Sequence, residues 1–163
     1  IKIVRAGGLT MYIGPHWCFS VMMLVVIDCV GFGYIAGVAI YVSKTQTALG
    51  LLVTFLSTYT FLQCVFSDPG ILEPAIDSPG GKQKPEQYSA STGRRTCTAC
   101  NIHQPVGVLH CNFCHVCIAG WDHHCPWMGK CIGVGNLNCF YRFLFVSLSS
   151  LVFIMVVTLT SGG

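Results

Sequence analysis

Charge is what this sequence has least of. Its 163 residues include nine Lys and Arg and six Asp and Glu, 9% in all, where soluble globular domains carry about 25%. So few charges cannot furnish a water-facing surface of ordinary composition, which argues against a soluble enzyme although the length would suit one soluble domain. A basic run interleaved with aromatics is also missing. The net charge of +3 and the pI near 8.3 fall below the usual footprint of a nucleic-acid-binding domain, so no nucleic acid partner is expected. A 53% hydrophobic composition excludes a disordered tail. The chain lacks an initiator Met and stops at Ser161-Gly162-Gly163, directly after an apolar run, a pattern expected of a fragment.

What the chain has instead is three long apolar runs. Trp17–Val42 is 26 residues with Asp28 as its single charge; Thr47–Phe66 is 20 residues with none, and Phe143–Thr160 is 18 residues with none. About 20 apolar residues rising 1.5 Å each cross a hydrocarbon core of roughly 30 Å. The first run is too long for a signal peptide and has no small-residue cleavage pattern. Ser43–Gln46 leaves room only for a hairpin tip, at Lys44. The other eight Lys and Arg lie in residues 1–16 or in 67–142, and their excess assigns that side to the cytosol. Pro and Gly recur through residues 67–96 and mark a linker. The fold class expected is therefore membrane all-α, a multi-span helical bundle with three spans present, carrying an irregular cytosolic cysteine-rich zinc domain.

The zinc expectation comes from spacing. Eleven cysteines occur, seven of them between Cys97 and Cys131. They read Cys97-x2-Cys100, His110-Cys111-x2-Cys114-x2-Cys117, then Asp122-His123-His124-Cys125 and Cys131. Pairs spaced in this way chelate one ion, and structural zinc takes four Cys or His ligands with no open position. A reducing cytosol makes disulfides a poor account of the density. Two closed sites need eight ligands; six cysteines and two of the five histidines in the window supply them and leave one cysteine over. Cys125 follows Asp122-His123-His124 directly. A neighbouring histidine eases formation of a thiolate, and a carboxylate that fixes the imidazole completes an acid–histidine–cysteine arrangement. Local order alone leaves two readings of Cys125 open, nucleophile or one more zinc ligand.

These residues, with Pro105, Pro126-Trp127, Ile132-Gly133, Asn136 and Phe140, resemble the cysteine-rich domain of the Asp-His-His-Cys (DHHC) protein S-acyltransferases, the palmitoyltransferases. The match runs continuously over 97–140, and Asp68-Pro69-Gly70 is similar to that family's Asp-Pro-Gly motif. The resemblance implies Cys125 as nucleophile, His123 as base and Asp122 as its orienting partner. It implies one zinc on Cys97, Cys100, His110 and Cys117, and a second on Cys111, Cys114, His124 and Cys131, both structural. The co-substrate implied is acyl-CoA (palmitoyl-CoA). The partners implied are substrate proteins with membrane-proximal cysteines and the lipid bilayer, in Golgi, ER or plasma membrane, with the zinc domain facing the cytosol. Such a placement suits the chemistry. A palmitoyl chain has about 14 methylenes at ~0.8 kcal/mol each, so moving it into water would cost roughly 11 kcal/mol.

Departures from the family pattern bear on CoA. Gln104, Gly107, Val108 and Leu109 stand where that family commonly has basic or small residues. His103, Arg94, Arg95 and Lys130 are the substitutes available for the CoA phosphates. Leu137 replaces an aromatic, and the fourth helix with its Thr-Thr-x-Glu motif is absent, which truncation explains. The segments expected are 1–66 with the first two spans, the linker 67–96, the zinc domain 97–140, and 141–163 with the third span.

Other residues have simpler readings. Asp28 sits where a charge costs at least ~2.5 kcal/mol; helix irregularity near Gly31 and Gly33, leaving it close to water, is preferred over a polar contact inside the bundle. Cys18, Cys29, Cys64 and Cys139 read as packing residues, and His115 as exposed. Tyr12, His16 and Trp17 read as interface anchors. Two rival functions stand beside the transferase. One is a catalytically weak or inactive zinc-stabilised membrane scaffold. The other is a RING-type ubiquitin ligase, whose ligand spacing fits poorly.

Overall fold

The computed structural model describes residues 1–6, 9–72 and 95–161. Among these residues, three helices are long and apolar enough to cross a membrane: α1 (Trp17–Val42), α2 (Lys44–Phe66) and α3 (Leu137–Ser161). Their inside and outside are inverted relative to a soluble bundle, whose helices bury the apolar face. On α2 the buried residues are Gly50, Thr54, Ser57, Thr60, Phe61 and Cys64, three and four apart and so on one face. Leu49, Leu51, Leu52, Phe55, Leu56 and Tyr59 point outward. A hydrocarbon surrounding explains this, because helices there gain little from hiding leucine and much from close backbone approach at small residues. Gly31 of α1 meets Thr54 so tightly that a Cβ would lie 2.3 Å from its Oγ1. The Ser57 and Ser150 hydroxyls, 3.1 Å apart, join α2 to α3.

The first span departs from expectation. Helix α1 is regular from Trp17 to Tyr34 and widens into a π turn only at Ile35–Ala39, beyond Gly31 and Gly33. Asp28 is half-buried and accepts a 2.8 Å hydrogen bond from Thr58 Oγ1 of α2. The polar contact inside the bundle is therefore the correct reading of Asp28; its partner lies thirty residues on, where no local pattern points. The hairpin tip is also shorter than expected. Ser43 alone interrupts the helices, its hydroxyl accepting from Gln46 N at 3.1 Å, which caps α2 and starts it at Lys44.

Outside the helices the chain is built of short strands. A hairpin, β1 (Lys2–Ala6) with β2 (Leu9–Ile13), precedes α1. Among the described residues, seven strands lie between α2 and α3: β3 (Ile71–Leu72), β4 (Arg95–Cys97), β5 (Ile102–Gln104), β6 (Val108–Cys111), β7 (Val116–Ala119), β8 (His123–Cys125) and β9 (Lys130–Ile132). They pair antiparallel as β3-β7-β6, β4-β5 and β8-β9. The cysteine-rich region is thus more regular than expected, although no strand there exceeds four residues.

Residues 67–72, expected to open a linker, belong to this strand region. Asp68 Oδ1 accepts from Gly70 N at 2.8 Å and Ile71 N at 3.0 Å, which fixes a turn with Gly70 at φ 97°. The Gly70 carbonyl accepts from Ala119 N at 2.9 Å, and Ile71–Leu72 extends the β6-β7 hairpin. At Gly133 a Cβ would lie 2.5 Å from the Pro69 carbonyl, so only glycine admits this approach. The remaining Pro- and Gly-rich stretch, 73–94, lies outside the described residues.

Candidate metal centres and active site

Strand pairing assembles two Cys/His clusters. His110 faces Cys117 across β6-β7, and His124 faces Cys131 across β8-β9. Each pair is joined by a Cys-x2-Cys turn. Cys97 and Cys100 come to His110 and Cys117, while Cys111 and Cys114 come to His124 and Cys131. Adjacent residues His110 and Cys111 serve different clusters because successive strand side chains point to opposite faces. Both turns end on a left-handed residue, Asn101 (φ 52°) after Cys100 and His115 (φ 55°) after Cys114; Asn and His tolerate that conformation better than most residues. His115 is exposed and belongs to neither cluster.

The spacing within each cluster suits zinc. Zn–S bonds of ~2.3 Å and Zn–N bonds of ~2.0–2.1 Å in a tetrahedron set S···N edges near ~3.5 Å and S···S edges near ~3.8 Å. His110 Nδ1 lies 3.5, 3.2 and 3.8 Å from the sulfurs of Cys97, Cys100 and Cys117. His124 Nδ1 lies 3.6, 3.4 and 3.5 Å from those of Cys111, Cys114 and Cys131. Cys114 and Cys131 sulfurs are 3.6 Å apart, and all eleven cysteines are free of disulfides. The clusters could each hold one zinc ion. Two neighbours of the ligands escaped the sequence reading. Gln104 Nε2 donates to Cys117 Sγ at 3.4 Å, so this side chain, noted above only as a missing base, supports the first cluster. The other neighbour is His16, whose Nδ1 is 2.8 Å from His124 Nε2.

Strand β8 sorts the Asp-His-His-Cys residues by the same alternation. His124 faces the metal cluster, and His123 and Cys125 share the opposite face. There Cys125, 6% exposed, joins Phe61, Cys64, Met128, Ile132 and Phe143 in an apolar cluster at the ends of α2 and α3 nearest the strands. The His123 ring packs edge-on against Phe140 with centroids 5.4 Å apart. Its Nδ1 is 3.2 Å from Asp122 Oδ2, both side chains being half-exposed. Among the described hydrogen bonds none joins Cys125 to His123. Burial pushes the Cys125 thiol above its ordinary pKa, and backbone hydrogen bonds from Met128 and Trp127 draw it part of the way back.

The four candidates for CoA phosphates fare differently. Lys130 is fully enclosed; its Nζ donates to the carbonyls of Tyr12, at 2.9 Å, and Ser67. It ties the N-terminal hairpin and the end of α2 to β9, which takes it away from any solvent-borne phosphate. Arg95 and His103 lie in β4 and β5, pairing with Gln104 and Thr96; Arg94 lies outside the described residues.

Comparison with known proteins agrees with this geometry. Residues 90–161 match the family model described as DHHC palmitoyltransferase. The chain is 28% identical over 177 residues to human palmitoyltransferase ZDHHC18, covering 93% of this chain and 45% of that protein. It is 32% identical over 145 residues to human palmitoyltransferase ZDHHC14, covering 75% and 30%. With human palmitoyltransferase ZDHHC17 the identity is 41% over 91 residues, covering 53% and 14%. The chain spans less than half the length of these relatives. With two Cys/His clusters and the Asp-His-His-Cys strand between them and the bundle, residues 90–161 are thus similar to the DHHC palmitoyltransferase domain.

Proposed function

We propose that this chain is the core of a protein S-acyltransferase that moves a long-chain acyl group, palmitoyl, from acyl-CoA to membrane-proximal cysteines of substrate proteins. The observation that carries the reading is the strand β8 geometry. One face turns His124 to a metal cluster while the other turns Cys125 into an apolar cluster at the mouth of the helices. A thiol that burial keeps protonated needs a base, and His123, beside Asp122, is the nearest imidazole in sequence on the same strand face. In the first half-reaction His123 takes the Cys125 proton and the thiolate attacks the acyl-CoA carbonyl. The C–S bond to CoA breaks, and the departing CoA thiolate takes up the proton. In the second, a substrate cysteine attacks the Cys125 thioester and Cys125 leaves as thiol. Zinc, when bound by the two clusters, supplies structural closure that holds β8 against the bundle. The acyl chain stays among the helices and CoA in water. The membrane would be Golgi, ER or plasma membrane, with the strand region and residues 67–140 on the cytosolic side and 141–163 returning through the bilayer. The scaffold alternative finds no support in the relatives, which are named palmitoyltransferases.

The test is incubation of the full-length protein in lipid with labelled palmitoyl-CoA, followed by neutral hydroxylamine. The expected result is a hydroxylamine-sensitive label that Cys125→Ser abolishes. His123→Ala is expected to slow its formation by ~10²–10⁴-fold. Undiminished labelling of the Cys125→Ser protein would sink the assignment.

A further inference from the structure

His16 is the N-cap residue of α1, yet its side chain makes no capping hydrogen bond. The ring instead reaches across the fold to His124. The tautomers follow from the distances. His124 presents Nδ1 to three cysteine sulfurs at 3.4–3.6 Å, so with a metal on Nδ1 its hydrogen must sit on Nε2. That Nε2 lies 2.8 Å from His16 Nδ1, so His16 accepts through Nδ1 and carries its own hydrogen on Nε2. Packing holds the arrangement. The His124 ring lies against Phe113, 4.8 Å between centroids, and against His16 at 5.0 Å. The His16 backbone N donates to the Gly129 carbonyl at 3.1 Å. A Cβ on Gly14 would lie 2.0 Å from that same carbonyl, and Phe19 meets Trp127 edge-on at 5.8 Å. The start of the first membrane helix is thus seated on the turn that follows Cys125.

We propose that His16 is a positioning residue for the second metal site. It fixes the tautomer and ring plane of His124 from the membrane helix, and so ties occupancy of that site to the seating of α1. Metal-bound histidines regularly donate their second ring N–H to an acceptor, and loss of that acceptor costs 10–100-fold in metal affinity. The usual acceptor is a carboxylate, carbonyl or water; here it is an imidazole from a separate element. The sequence reading of His16 as an interface anchor is superseded by this contact, while the half-exposed Trp17 still suits that role.

The inference rests on the zinc reading of the Cys111, Cys114, His124 and Cys131 cluster, and its test separates the two. Full-length protein in lipid nanodiscs, loaded with zinc, is titrated with a chromogenic chelator, and cysteines exposed at each stage are alkylated and mapped by mass spectrometry. Wild type is expected to hold two ions. His16→Phe, which keeps the ring and removes the acceptor, is expected to release one ion at 10–100-fold lower chelator. Cys111, Cys114 and Cys131 become alkylated first, while Cys97, Cys100 and Cys117 stay protected. His16→Asn, whose amide oxygen can stand near the Nδ1 position, is expected to restore most of the affinity. Release of both ions together, or the wild-type order and affinity in His16→Phe, would overturn the proposal while leaving two zincs in place. Wild type that binds no zinc would remove the metal reading and this proposal with it.

Discussion

The helices and the strand region solve the problem of a core in opposite ways. Helix α2 buries mainly glycine and hydroxyls, with Phe61 and Cys64 at its strand end, and shows Leu49, Leu51, Leu52, Phe55 and Leu56 outward, because its surroundings are themselves apolar. The strand region has water around it but only scattered apolar residues to bury, chiefly Ile102, Val108, Ile118 and Ile132. Its buried places are taken by Cys97, Cys111, Cys114, Cys117 and Cys131. Strands of two to four residues are too short to pack as a sheet sandwich, and small domains of this kind rely on metals or disulfides for what a core would otherwise supply. One region therefore relies on its solvent and the other offers two clusters that could hold ions, and the catalytic candidate Cys125 sits where the two meet.

The sharpest way to break that comparison is to remove metal. Structural zinc contributes ~10–16 kcal/mol in small domains whose folding depends on it. Chelation is therefore expected to unfold residues 95–136 while α1, α2 and α3 keep their helices. Far-UV circular dichroism would retain its helical signal as the strand region becomes open to protease. Cys111→Ala is expected to lower zinc from two ions per chain to one; Cys125→Ala is expected to leave it at two. Loss of helical signal in step with zinc would show the regions to be one cooperative unit.

Lys130 probes the seam between the regions and gives a smaller effect. Burial draws its ammonium from 10.5 down to about 8. Between those values the unfolded chain keeps a proton that the folded chain has released, so stability rises with pH from about 8 to about 10.5. At ~1.36 kcal/mol per unit the rise is about 3 kcal/mol. Lys130→Met has no such proton and is expected to lack the rise. Thermal unfolding of both proteins in the same nanodiscs across that window measures the difference. Parallel slopes would show that Lys130 is not the group responsible.

Much of this was legible in the residues. Three spans followed from apolar run length, and the cysteine spacing pointed to metal because a Cys-x2-Cys turn is a local geometry. The harder features were long-range. Asp28 was misread because Thr58 sits on the next helix. The packing of the Asp-Pro-Gly turn was not legible either, because it looks like any breaker until Gly133 and Gly135 are seen to make room for it. Lys130 was offered for the CoA phosphates because nothing near it in sequence supplies the Tyr12 and Ser67 carbonyls. Short strands in a metal domain also leave little periodicity to read, since ligands interrupt every alternation.

The smallest expected effect lies in the helices, where buried polar contacts invite overvaluation. The Ser57–Ser150 bond and the Asp28–Thr58 bond are enclosed by hydrocarbon or protein, where a lost hydrogen bond looks ruinous at first sight. Inter-helical hydrogen bonds in membranes nevertheless average only about 0.6 kcal/mol, because helices separated in the bilayer find other polar partners. Ser150 illustrates the point, since its hydroxyl also reaches the Val146 carbonyl of its own helix at 2.8 Å and keeps that bond when α2 is removed. A double-mutant cycle of Ser57→Ala and Ser150→Ala, read by unfolding in bicelles, is expected to give a coupling of ~0.6 kcal/mol. Thr58→Val is expected to cost more, up to ~1.7 kcal/mol, because it leaves a carboxylate without its donor. The tight meeting of Gly31 with Thr54, not these bonds, would then carry most of the helix association, and Gly31→Leu should exceed either polar variant. A serine coupling of several kcal/mol would reverse that order and make the bundle, like the strand region, a structure held by its polar groups.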